Sequence, residues 1–142
     1  MENPTNDVVT LKIELPRIPD IELVALEGLE QLGRHLGIAG EKIGEARILV
    51  TEAIINALEH AGTQHPVVQV EFTMSKQELT IFVRDYGKGF EPSAVKPPQI
   101  EEKLGSANKR GWGLHLMKSM SDDFRIESHD SGTKITLIKK LT

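Results

Sequence analysis

The sequence predicts an α+β domain: a two-layer α/β sandwich whose mixed, mainly antiparallel sheet is covered by helices on one face. Three observations lead there. Short apolar runs with strand alternation come in pairs, joined by turn residues as hairpins are. Two stretches of helical period stand side by side between the first strand and the first hairpin. Most strands have no helix after them, which excludes a doubly wound nucleotide fold and favours helices grouped on one side of a sheet.

The elements follow in order. Val8 to Leu15 alternates, with Val9, Leu11, Ile13 and Leu15 on one face, and stops at Pro16. Asp20 is placed to cap a helix whose Leu23, Leu26, Leu29 and Leu32 recur at helical spacing and which ends near Gly37. Gly40 opens a longer helix that reaches about Ala61, with Gly62 to stop it. Val67 to Phe72 and Leu79 to Val83 form a hairpin through Ser75 to Gln77. From Asp85 to Gly113 the chain is rich in Gly, Pro, Lys and Glu, without a steady period, and reads as a lid at about 91–110. Helical spacing returns at Leu114, Met117 and Met120. Phe124 to Ser128 and Lys134 to Lys140 close the chain around Asp130-Ser131-Gly132.

The 142 residues suit one domain, 1–142, with a core large enough to fold without staples. There are no cysteines, so disulfides and thiolate metal sites are excluded. No apolar run approaches the roughly 20 residues that span a bilayer, and Met1 to Asp7 is polar, unlike a signal peptide. The expectation is a soluble, cytoplasmic protein without membrane contact. The net charge is −4 with both signs interspersed, so the basic footprint of a nucleic-acid binder is missing. Lys103, Lys109 and Arg110 form a denser basic group inside the lid, of interest only beside a phosphate.

Four segments carry chemistry. The run from Ala46 to Leu58 is apolar almost all round, and within it Glu52 and Asn56 lie four residues apart on one face, with Glu45 and Glu59 a turn further out. Asn is a poor mid-helix residue, and a carboxylate beside a carboxamide can hold a base next to a ligand for hard Mg²⁺; the pair alone also fits a solvated stripe. Asp85-Tyr-Gly-Lys-Gly-Phe90 follows a strand, where a carboxylate can accept from an exocyclic amine while Gly87 and Gly89 admit a flat ring; a plain glycine turn fits equally. Arg110-Gly-Trp-Gly-Leu114 opens a helix whose free N–H groups suit phosphate, or is a hinge. Ser131-Gly-Thr133 has hairpin-turn composition, and Thr133 joins a site only if it faces Asp85.

In this order and spacing the four segments resemble the motif set of the Bergerat-fold (GHKL, histidine-kinase-like) ATPases, over Val8 to Lys140. Within that group the chain is most similar to the anti-sigma factor serine/threonine kinases. The likeness rests on Val50-Thr-Glu-Ala-Ile-Ile-Asn-Ala-Leu-Glu-His60, on Arg110 to Asp122, and on the lack of room for a histidine-bearing dimerisation helix pair. The resemblance implies ATP and Mg²⁺ as cofactors. Asn56 would coordinate Mg²⁺ between the phosphates, and Glu52 would be the general base toward a serine or threonine hydroxyl. Asp85 would bind the adenine amine, with Gly87, Gly89 and Thr133 around the base. Gly111 and Gly113 would offer N–H groups to phosphate, with Leu114 in the same nucleotide motif, and Arg110 would contact the γ-phosphate. It implies as substrate a STAS-type anti-anti-sigma protein, a sigma factor or similar regulator as sequestered target, and a homodimer. Two other readings remain open: a non-catalytic ATP/ADP-binding partner switch, and a detached histidine-kinase catalytic domain.

Overall fold

The computed structural model describes residues 7–61, 67–87 and 109–142, with backbone alone for 109–112. Among these residues five strands and three helices run in the order β1 (Val9–Pro16), α1 (Glu22–Leu36), α2 (Gly40–His60), β2 (Val67–Met74), β3 (Glu78–Asp85), α3 (Lys109–Met120), β4 (Asp123–His129) and β5 (Gly132–Lys140). The strands form one sheet in the order β1-β2-β3-β5-β4. All four ladders among the described residues are antiparallel, where the sequence predicts a mixed, mainly antiparallel sheet.

Strand alternation decides which face is covered. Val68, Val70, Phe72 and Met74 on β2, Leu79, Ile81 and Val83 on β3, and Ile135 and Leu137 on β5 are all buried on one side. They meet Leu26 and Leu29 of α1, Leu49, Val50, Ala53 and Ile54 of α2, and Met117 of α3 in a single core. Leu23, expected on the apolar face of α1, is instead exposed. The helix α2 lies across β2, β3 and β5 and is flanked by α1 and α3. Its far end is tied to the sheet by Lys139, buried on β5, whose Nζ lies 2.7 Å from Glu45 Oε2.

Local signals act mostly as expected. Gly37 ends α1 in the left-handed conformation at φ 70°, its N–H reaching back to Arg34 and Gly33. Ser75 closes the β2–β3 hairpin by accepting from the N–H groups of Gln77 and Glu78, each at 3.2 Å. Asp20 departs from expectation. The cap position of α1 is Ile21, without a side-chain hydrogen bond. Asp20 itself adopts φ 62°, a conformation Asp tolerates better than most residues, and turns its carbonyl toward the Leu23 N–H at 3.1 Å. Gly62, expected to stop α2, lies outside the described residues; Ala61 already leaves the helix in an extended conformation. No helix among the described residues is long and apolar enough to cross a membrane.

Candidate functional site

The row of buried residues on β3 ends in a carboxylate. Asp85 occupies the core-facing position after Leu79, Ile81 and Val83 and is 1% exposed. Its Oδ1 accepts from the Gly87 N–H at 2.9 Å. Register places Thr133 of β5 directly opposite. Burial raises the Asp85 carboxyl above its ordinary value, opposed by the hydrogen bonds from Gly87 and Thr133 backbone. A buried carboxylate with acceptor capacity left over is suited to an amine donor of a flat heterocycle. Thr133 is buried too, its Oγ1 3.0 Å from Ser128 Oγ on β4.

Gly132 is what lets these strands close up. It sits at φ 136°, and a Cβ there would run into the Asp85 carbonyl oxygen and come within 2.9 Å of Tyr86 Cα. Only glycine fits both the conformation and the approach. Gly132 and Ser128 were missed by motif reading, since a Ser-Gly-Thr turn signal hides which strand the turn will press against.

The second half of the site is on α2, which packs on β3 and β5, the strands carrying Asp85 and Thr133. Asn56 is 4% exposed, and neither its Oδ1 nor its Nδ2 has a hydrogen-bond partner among the described residues. Leaving such a group unpaired costs about 1–3 kcal/mol, so a buried, orphaned carboxamide in a native helix calls for a ligand. Its oxygen is the donor type that hard Mg²⁺ accepts alongside phosphates and waters. No group of three or more His, Cys, Asp or Glu side chains among the described residues could hold a metal by itself. One turn back, Glu52 is half-buried, and burial first, then the negative charge of Glu59, raises its carboxyl. Raised values suit a general base.

The helix α3 meets α2 here. It begins at Lys109, earlier than helical spacing implies, and Gly113 becomes its fifth residue. In an α-helix the fifth N–H pairs with the carbonyl four residues back, leaving the first four as free donors. Gly113 faces Glu52: a Cβ on it would stand 2.9 Å from Glu52 Oε2. Leu114 is buried in the core. The structure thus sets Glu52 against Gly113, with Asn56 one turn further along α2, and groups Asp85, Gly87 and Thr133 on β3 and β5, the strands on which α2 packs. Gly89 and residues 91–108 of the lid expected at about 91–110 lie outside the described residues, as do the side chains of Arg110 and Trp112; residues 109 and 110 are already helix, and Gly111 is described only as helical backbone.

Similarity to known proteins points the same way as the geometry. Residues 20–139 match the family model of the histidine kinase-like ATPase domain. The chain is 27% identical to the serine-protein kinase RsbW of Listeria innocua, across 94% of this chain and 87% of the relative. Among solved structures it resembles the RsbU and RsbW domains of Rv1364c from Mycobacterium tuberculosis, with a TM-score of 0.68 at 19% identity, over 94% of this chain and 32% of that one. The SiaB–SiaC complex from Pseudomonas aeruginosa follows at a TM-score of 0.59 and 13% identity, over 92% and 89%. The matched span holds every element from α1 to β5, with the carboxamide, the two carboxylates and the glycines at the places just described, and the chain belongs to the histidine kinase-like ATPase domain family.

Proposed function

We propose that the protein is an ATP-dependent protein serine/threonine kinase of the anti-sigma factor type. It phosphorylates a STAS-type anti-anti-sigma protein in the cytoplasm and, in its other complex, sequesters a sigma factor or similar regulator, acting as a homodimer. The observation that carries the reading is the buried Asn56, unpaired among the described residues, one helical turn from Glu52, whose carboxyl is held above its ordinary value. The name of the Listeria relative, a serine-protein kinase, supports the same reaction class.

The division of labour follows from the side chains. Asp85 accepts from the adenine amine while Gly87 and Thr133 hold the carboxylate in place. Asn56 would be the protein ligand for Mg²⁺, which would neutralise phosphate oxygens. Glu52 takes the proton from the acceptor hydroxyl as its oxygen attacks the γ-phosphorus; the bond to the bridging oxygen breaks and ADP carries the charge away. Arg110 and the first-turn N–H groups of α3, Gly111 among them, are assigned to the transferring phosphate. Catalysis of this kind is mostly positioning and electrostatics.

Titration calorimetry of MgATP tests the assignment. Wild type binds; Asp85→Asn, which exchanges an acceptor oxygen for a donor, binds about 10–100-fold more weakly, the cost of about 1.5–3 kcal/mol for a hydrogen bond to a charged group. A wild type that binds no adenine nucleotide would end the proposal.

A further inference from the structure

The kinase reading leaves open where the acceptor protein sits, and the outward face of α2 supplies an answer that rests on that reading. Glu52 lies between two exposed isoleucines, Ile48 one turn before it and Ile55 one turn after, 43% and 37% exposed. Apolar side chains of that size at the rim of a charged site are the usual anchors of a protein contact. Glu52 itself borders a surface groove of about 300 Å³ shared with Gly44, Arg47, Ile48 and Thr51.

That groove continues. Gly44 and Arg47 also line a second one of about 320 Å³, along the seam between α1 and α2, together with Glu30, Arg34 and Ile43. Two guanidinium groups there share one carboxylate: Arg47 Nη1 is 2.7 Å and Arg34 Nη2 3.6 Å from Glu30. The cluster carries a net positive charge, while the Glu52 end is negative. The two grooves thus make one channel, cationic at the α1–α2 seam, apolar at Ile48, and ending at the carboxylate that must receive a hydroxyl proton.

The geometry points to this channel as the docking surface of the phosphoacceptor protein. Its occupant is a segment that presents a serine or threonine hydroxyl to Glu52, apolar side chains to Ile48 and Ile55, and an acidic side chain to Arg47. Arg47 and Glu52 are five residues apart on α2, about 7.5 Å along its axis and about 140° around it at 3.6 residues per turn, so the segment crosses the outward face of the helix from the α1 seam to Glu52. Ile48, Ile55 and Arg47 set specificity and take no part in ATP binding.

The test uses the full chain and, as probe, a STAS-type protein labelled from radioactive ATP. The variants are Ile48→Asp with Ile55→Asp, Arg47→Glu alone, and Lys12→Asp on β1 as a control away from the channel. The expected result is a loss of tenfold or more in kcat/KM for the acceptor in the first two, with MgATP affinity unchanged and the control like wild type. Replacing the acceptor's acidic residue by Lys restores Arg47→Glu. Should the isoleucine variant lose MgATP binding as well, the Arg47→Glu rescue decides alone, and its failure overturns the surface. Transfer by all variants at the wild-type rate overturns the docking surface while leaving the kinase reading intact. Absence of transfer by wild type overturns both.

Discussion

Replacing Gly113 by alanine should make the protein more stable and a worse kinase. The added Cβ would stand 2.9 Å from Glu52 Oε2, where ordinary contact begins near 3.4 Å. The carboxylate is the free end of a half-exposed side chain, so it retreats by about 0.5 Å and the backbone stays put. Gly113 lies inside α3, where exchanging glycine for alanine gains about 0.5–1 kcal/mol of helix stability. For a domain of this size that raises the melting temperature by about 1–4 °C. Displacing a catalytic group by 1 Å can cost about a hundredfold, so half that distance costs about tenfold, or about 1.4 kcal/mol of transition-state stabilisation. The N–H is retained, and MgATP affinity should stay within about twofold of wild type. The assays are a thermal melt, MgATP calorimetry and single-turnover phosphotransfer. A more stable variant that transfers phosphate at the wild-type rate would refute the packing of Gly113 on a carboxylate that acts in transfer, as would one that melts lower and loses ATP.

Asn56→Ala should abolish Mg²⁺-dependent ATP binding yet change stability by less than about 1 kcal/mol, because the gain from removing unpaired buried groups offsets the small cavity left behind; a drop of several kcal/mol in a denaturant titration would mean that Asn56 is a structural residue. Gly132→Ala should destabilise by at least about 2 kcal/mol, lowering the melting point by about 4 °C or more, since both the conformation at φ 136° and the contact with Asp85 oppose a side chain; an unchanged melt would refute the close approach of the two strands. The rate of transfer should rise with pH along a limb that lies above the ordinary glutamate value, because Glu52 must be ionised to act, and Glu59→Gln should move that limb down; a limb indifferent to Glu59 would contradict the charge coupling. The stability contributions of Glu52 and Glu45 have opposite signs. Protonation of Glu52 favours the fold, an effect complete below the unfolded value and lost as pH rises through the raised native one. Glu45, lowered chiefly by its hydrogen bond to Lys139, contributes above its unfolded value, and that contribution is lost as pH falls through the lowered native one.

What was legible in the sequence was whatever a short window determines. Val68, Val70 and Phe72 read as the buried face of a strand because the period of two has no competitor there. Glu52 and Asn56 share a helix face by spacing alone. What was not legible came from contacts between distant segments. Thr133 opposes Asp85 because β5 pairs with β3 in one register, a long-range choice that no local pattern encodes. The start of α3 reads as loop because Gly111 and Gly113 lower helix propensity by about 1 kcal/mol each. The burial of Leu114 and Met117 in the core overrides them. Asp20 has the composition of a cap, but Asp also tolerates positive φ, and in the turn after β1 that second property prevails. Leu23 fits an apolar period yet faces outward, since a helix packed on one side leaves some of any regular apolar pattern uncovered.

In the proposed reaction Glu52 moves a proton and the rest of the site holds ATP. Single-turnover transfer from γ-labelled ATP to a STAS-type protein, comparing wild type with Glu52→Ala, separates the two roles. Wild type should yield an acid-stable phosphoserine or phosphothreonine on the acceptor, while Glu52→Ala binds MgATP with unchanged affinity and transfers at least about a hundredfold more slowly, the contribution typical of a general base. An acid-labile phosphohistidine, or a Glu52→Ala variant as fast as wild type, would contradict the proposed reaction.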